Sequence, residues 1–269
     1  MDIIPQLILN SIIAGAIYSL VALGFNLIYG AAKFINLAHG VLAALGGYTV
    51  FYLAKTLGWN VYPHTKIFGV GVYIAVAIGV FLAGVIGWGL DKLVFLPLRK
   101  RKASAMVLLV ASLGAFSAIQ AILAILFTSQ FQTLPHNAST QKIFEILGGV
   151  ITQTQVIILL CTAIVLAGLI LLLYKTRFGK AVRAVCDDEE VAKIVGINTN
   201  KIIAIVFFIG SAIAGLAGIL VGFDNGITPT MGMGLLLKGV IASIIGGVGT
   251  VYGGVLGAFL LGFVENFGI

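Results

Sequence analysis

The sequence predicts an all-α, polytopic membrane protein of about eight spans, some of them broken or re-entrant. Two observations carry this. Of 269 residues, 60% are hydrophobic and only 9% charged, with a mean hydropathy of +1.15; soluble domains carry about 25% charged residues. A crossing helix needs about 20 mostly apolar residues, so the chain has room for roughly eight. The +7 net charge is also localised: 11 of the 16 basic residues fall within 91–102 and 175–201. That is the positive-inside pattern rather than a nucleic-acid-binding surface, and it predicts that both segments are cytoplasmic. Cys161 falls in a span and Cys186 in a polar loop, so no disulfide framework is implied.

In order, residues 7–30 predict a first span rich in small residues, read as retained rather than as a signal peptide because no basic residue precedes it. The run 31–39 interrupts the apolar pattern with Lys33, Asn36 and His39, and Gly40 opens a second span, 40–57. Polar residues at such a break either line a cavity beside a discontinuous helix or cap helices at the interface. Trp59 and Tyr62 mark an interfacial turn, and the glycine-rich stretch 67–90 a third span. The basic segment 91–102 follows, then a span at 106–128, where Gln120 is a candidate for the pathway or for an interhelical hydrogen bond.

Residues 129–147 read as a polar outer loop, in which Asn137 to Ser139 match a glycosylation sequon by pattern alone. Spans at 155–174 and 202–222 bracket the longest polar segment, 175–201. Inside it Asp187 and Glu190 have capping-box spacing, acids crowd the first turn, Lys193 falls in the last, and Gly196 supplies a left-handed stop. Val191, Ala192, Ile194 and Val195 give this short helix an apolar side, which a docking surface needs; the alternative is a solvated linker. From Gly234 a glycine-rich helix pair is broken at Gly246, Gly247 and Gly249, with Lys238 in its first member and Glu265 near the end of its second. Crossings counted from the basic loops put both termini outside, and a chain stopping on an outer stub is expected to be truncated.

Several chemistries lack their residues. Gly179-Lys180 has neither the upstream glycine nor the following Ser/Thr of a phosphate loop, so this chain is not expected to hydrolyse ATP. The histidines at 39, 64 and 136 have no metal-ligand spacing. No Asp or Glu falls mid-span, which argues against proton coupling; sodium held by carbonyls at a broken helix stays open.

Ile35-Asn36-Leu37-Ala38-His39-Gly40, Pro97-Leu98-Arg99, Arg177 to Ala184, Gly196-Ile197-Asn198-Thr199 and Ile245 to Gly249 together resemble a LivH-type permease of the bacterial branched-chain amino acid ABC importers. Glu190, Val191, Ala192 and Gly196 are also similar to the EAA coupling motif, with Val for its first Ala. The resemblance implies a permease domain over 1–269 in the bacterial inner membrane, coupled through 175–201 to two cytoplasmic ATPases that carry ATP and magnesium. It further implies a second, LivM-like permease, a periplasmic or lipid-anchored solute-binding protein, and leucine, isoleucine or valine as solute. The final span that normally follows Glu265-Asn266 in the family is missing, which supports truncation. Urea, short amides or other amino acids in the same class, and an ion-coupled secondary transporter, are the alternatives.

Overall fold

A computed structural model describes residues 3–56, 70–134, 143–146 and 148–268. The turn with Trp59 and Tyr62 and the sequon at 137–139 lie outside the described residues. Eleven α-helices are described: α1 (Ile3–Ala32), α2 (Ala38–Thr56), α3 (Val70–Leu90), α4 (Leu96–Lys100), α5 (Ala105–Phe127), α6 (Gln153–Lys175), α7 (Arg177–Asp187), α8 (Glu189–Ile194), α9 (Thr199–Asn225), α10 (Met231–Gly246) and α11 (Val251–Phe267). Strands β1 (Ile143–Ile146) and β2 (Gly149–Thr152) form an antiparallel hairpin where a polar loop was expected.

The expected count of about eight spans is too high. Among the described residues five helices are long and apolar enough to cross a membrane, or six if α10 and α11 form one bent span. At 1.5 Å per residue these two, of 16 and 17 residues, reach only about 24–26 Å, short of the roughly 30 Å hydrocarbon core. They meet at a 114° bend. α2 is not among the five; His39 and Lys55 dilute its apolar character, and it is buried in the bundle instead.

Residues 91–102, expected as a loop, largely continue helix α3: a π-helical turn over Asp91–Phe95 leads into α4. Pro97 has no N–H to give to the preceding turn, which suits a change of helical register just before it. Asp91 is fully buried and ion-paired to Arg99 one turn beyond the register change.

α1 is the axis of the bundle. Its inner two-thirds is buried, and α6, α9, α10 and α11 pack around it. One end of the bundle is basic. There Lys33 Nζ donates to the Cys186 carbonyl, and Arg99 lies close enough to Glu189 for their charges to interact. At the far end Gln6 pairs with the backbone of Val150 in β2, and Gln132 forms a two-hydrogen-bond bridge with Ile227. Between α1 and α2 the chain is irregular yet buried. Phe34 sits among Phe95 and Phe207, and Ser112 of α5 accepts from Leu37 N at 3.0 Å. Non-helical backbone at membrane depth needs such partners.

Candidate functional site

At the basic end the sequence folds into two short helices. Thr176 accepts from Gly179 N at 3.0 Å to start α7, which runs through Asp187. The cap of α8 is therefore not Asp187 but Asp188, whose Oδ1 accepts from Glu190 N at 2.8 Å and Val191 N at 3.0 Å. The expected capping box is off by one residue because Asp187 is already used as the last residue of α7. Glu189, rather than Glu190, ties the helix down: it pairs with Lys193 at 2.7 Å and accepts from Thr199 Oγ1 at 3.1 Å. Burial pushes the Glu189 carboxyl up, but these two bonds and the nearby charges of Lys193 and Arg99 outweigh it and hold it below the usual carboxylate range.

The apolar residues of α8 divide. Ala192 is buried against the protein's own core, so it is not available to an outside partner as the sequence suggested. Val191, Ile194 and Val195 point out, the last two 83% and 68% exposed. Gly196 ends the helix at φ +87°, with Gly196 N bonded to Lys193 O at 3.0 Å. Glu190 is exposed at the start.

The pathway candidates are scattered. Asn36 Oδ1 accepts from Ala38 N at 3.1 Å, capping α2, while its Nδ2 is buried without a partner among the described residues. His39 is fully buried with Nε2 3.3 Å from the Val21 carbonyl, and Gly40 is packed against the Gly232 carbonyl. Gln120 is half-buried on α5, at the margin of the bundle. Gly246, Gly247 and Gly249 form the α10–α11 break, the latter two with φ of +101° and +85°, a region that other residues rarely enter.

Two features escaped the sequence reading. Asn26 of α1, 1% exposed, spans the break with both ends of its amide: Oδ1 accepts from Gly249 N at 3.0 Å and Nδ2 donates to Thr250 O at 2.9 Å. An Asn within the apolar first span was the available signal. The second is a cluster of Tyr18, Lys238 and Glu265. Lys238 Nζ donates to Tyr18 Oη at 2.7 Å and to Glu265 Oε1 at 2.6 Å, and Tyr18 donates to Glu265 Oε2 at 2.6 Å. Tyr18 stands at the midpoint of α1 and Lys238 at that of α10. No Asp or Glu falls mid-span in the sequence, yet Glu265, near the end of α11, bonds to Tyr18 and Lys238 at the midpoints of their helices. Its pairing with Lys238 needs α11 to fold back along α1, which spacing in sequence cannot convey.

Beside the cluster lies a cavity of about 350 Å³, bordered by the polar residues Tyr18, Lys238, Asp224 and Gln155 and the apolar Ile17 and Leu235. At the other side of the Asn26 clamp, a cavity of about 280 Å³ is bordered by Gly249, Thr250, Arg183 and Cys186. The two lie toward opposite ends of the bundle, with α1 common to their walls and the glycine break bordering only the second. Lys238 and Glu265 keep 39% and 41% of their side chains exposed. A charge facing lipid at the centre of a bilayer costs about 2.5–3.5 kcal/mol, which favours water or protein over lipid beside such a pair.

A bundle of spanning helices with cavities toward both ends has the form of a solute permease. The family model described as branched-chain amino acid transport system / permease component matches residues 7–269. The chain belongs to this family. It is 30% identical, over 98% of its length and 85% of the relative's, to the high-affinity branched-chain amino acid transport system permease protein BraD of Pseudomonas aeruginosa. Identity to the corresponding permease LivH of Escherichia coli K12 is 29%, over 97% of this chain and 84% of that one. The probable branched-chain amino acid transport permease LivH of Methanocaldococcus jannaschii is 32% identical over 98% of this chain and 81% of its own. These relatives are transport permeases rather than enzymes, and the chain is a multi-pass membrane protein of their family.

Proposed function

We propose that this chain is the membrane-spanning permease of an ATP-driven importer that moves leucine, isoleucine or valine into the cytoplasm by alternating access. The observation that carries the reading is the family match over residues 7–269, joined by relatives named for branched-chain amino acid transport. ATP and magnesium belong to two ATPase partners at the basic end. A second, LivM-like permease completes the membrane unit, and a binding protein, periplasmic or lipid-anchored, delivers the solute at the far end of the bundle. The membrane is the bacterial inner membrane, with 91–102 and 175–201 in the cytoplasm.

Coupling is assigned to α8 and its stop. Val191, Ile194 and Val195 are apolar and exposed on a segment outside the membrane, where nothing but a partner would cover them. Asp188, Glu189 and Gly196 fix the geometry of that knob, while Asp187 and Glu190 lie beside it on the exposed surface. Reconstituted with its partners, the complex takes up labelled leucine only with ATP. Ile194→Asp removes an apolar anchor and places a charge in the interface; ATPase copurification and uptake are expected to fall at least tenfold, with membrane insertion unchanged. Uptake driven by an ion gradient without any ATPase would overturn the reading.

Orientation is checked through Cys186, which a membrane-impermeant thiol reagent should reach only in inside-out vesicles. Burial pushes its thiol up, with Lys33 opposing in part. Because the thiolate is the reacting form, labelling is expected to be slow at pH 7 and still rising beyond the ordinary thiol value of about 8.5. Labelling from outside intact cells would reverse the topology, and a rate that levels off below pH 8 would contradict the burial.

A further inference from the structure

We propose that the cavity beside Tyr18, Lys238 and Glu265 is a binding site for the zwitterionic head and apolar side chain of a neutral amino acid in transit. The proposal rests on the transport reading above and adds where in the fold the solute is held. Lys238 and Glu265 are partly exposed beside the cavity, where water or a protein partner suits such a pair better than lipid does. Its volume of about 350 Å³ lies at the small end of the usual range for small-molecule sites, about 300–1,000 Å³.

The lining divides by chemistry in the way such a solute does. Lys238 has three ammonium donors; two are taken by Tyr18 and Glu265, which leaves one to meet a carboxylate. Asp224, on α9, borders the same cavity and supplies an acceptor for an ammonium group. Ile13, Ile17, Val221 and Leu235 make the apolar part of the wall, which suits a branched aliphatic side chain. Glu265 is a positioning residue: it does not border the cavity but holds the Lys238 ammonium beside it through a 2.6 Å contact.

The test uses the complete importer without its binding protein, both native cysteines replaced by serine, and Ala14→Cys as a reporter in the cavity wall. Ala14 borders the cavity and is half-buried, so the change is small. A charged methanethiosulfonate reagent is expected to label this cysteine. Leucine at millimolar concentration should slow labelling at least fivefold. Leucinamide, which lacks the carboxylate, and 4-methylpentanoate, which lacks the ammonium, should not. In the Lys238→Met background leucine protection is expected to vanish while labelling and ATPase copurification persist. Leu235→Cys serves as the reporter should Ala14→Cys fail to assemble.

No labelling of either assembled reporter, no protection by leucine or by any other neutral amino acid that the importer takes up, or equal protection by leucinamide, which would mean a cation site, each overturns the proposal. Normal leucine uptake once the binding protein is restored, alongside an unprotected reporter, leaves the transport function standing and sinks the site. Failure of leucine uptake, with protection by a different neutral amino acid that is taken up, sinks the choice of solute and supports the site.

Discussion

Replacing Arg99 by Met is expected to destabilise the protein by about 3–5 kcal/mol, the usual loss when one partner of a buried ion pair is removed. Asp91 is wholly buried, Arg99 nearly so, and the pair closes the turn where the helix changes register before Pro97. Without the guanidinium the Asp91 carboxylate would be left uncompensated among Phe95 and its neighbours. The double variant Asp91→Leu/Arg99→Met should recover most of the loss, because exchanging a whole buried pair for apolar residues is often neutral or better. Thermal loss of the monodisperse peak of the purified protein reads both effects. Wild-type stability of Arg99→Met would mean that the pair contributes nothing to the fold. A second consequence is local: Arg99 also interacts with the charge of Glu189, so the single variant should loosen the attachment of α8.

Gly196→Val is expected to abolish coupled uptake while leaving insertion in the membrane intact. The residue sits at φ +87°, and forcing a β-branched residue there costs on the order of 1–3 kcal/mol. Among the described residues nothing lies within 4 Å of where a Cβ would be, so backbone strain and not an internal clash is the cause. That strain falls on the turn joining the exposed knob of α8 to Asn198, which caps α9 through Lys201 N at 3.1 Å. Gly196→Ala should give an intermediate defect, because strain without β-branching is milder. Measured side by side, ATPase copurification and leucine uptake should fall together. Wild-type behaviour of Gly196→Val in both would make this segment a linker and place coupling elsewhere.

Long apolar helices were legible because each satisfies its own backbone hydrogen bonds, so length and hydropathy suffice to find them. The span expected at 106–128 is α5 at Ala105–Phe127, and that at 155–174 is α6 at Gln153–Lys175. The polar segment 175–201 was likewise legible as a capped helix with a glycine stop, since caps act over three or four residues. The error of one residue at Asp187 arose where two short helices abut and either acid could serve as the cap.

What the sequence by itself determined is the class: a helical membrane permease, its basic segments, and an exposed apolar knob between two spans. Its motifs also pointed to the family. Only the tertiary structure decided which polar residues meet. Asn36 and His39, conspicuous at a break, are sealed among helices, whereas Lys238 and Glu265, 27 positions apart, join Tyr18 beside a cavity. Inside the membrane the pairing of polar groups depends on which helix faces touch, and glycine-rich helices of similar hydropathy leave that choice to packing between distant segments.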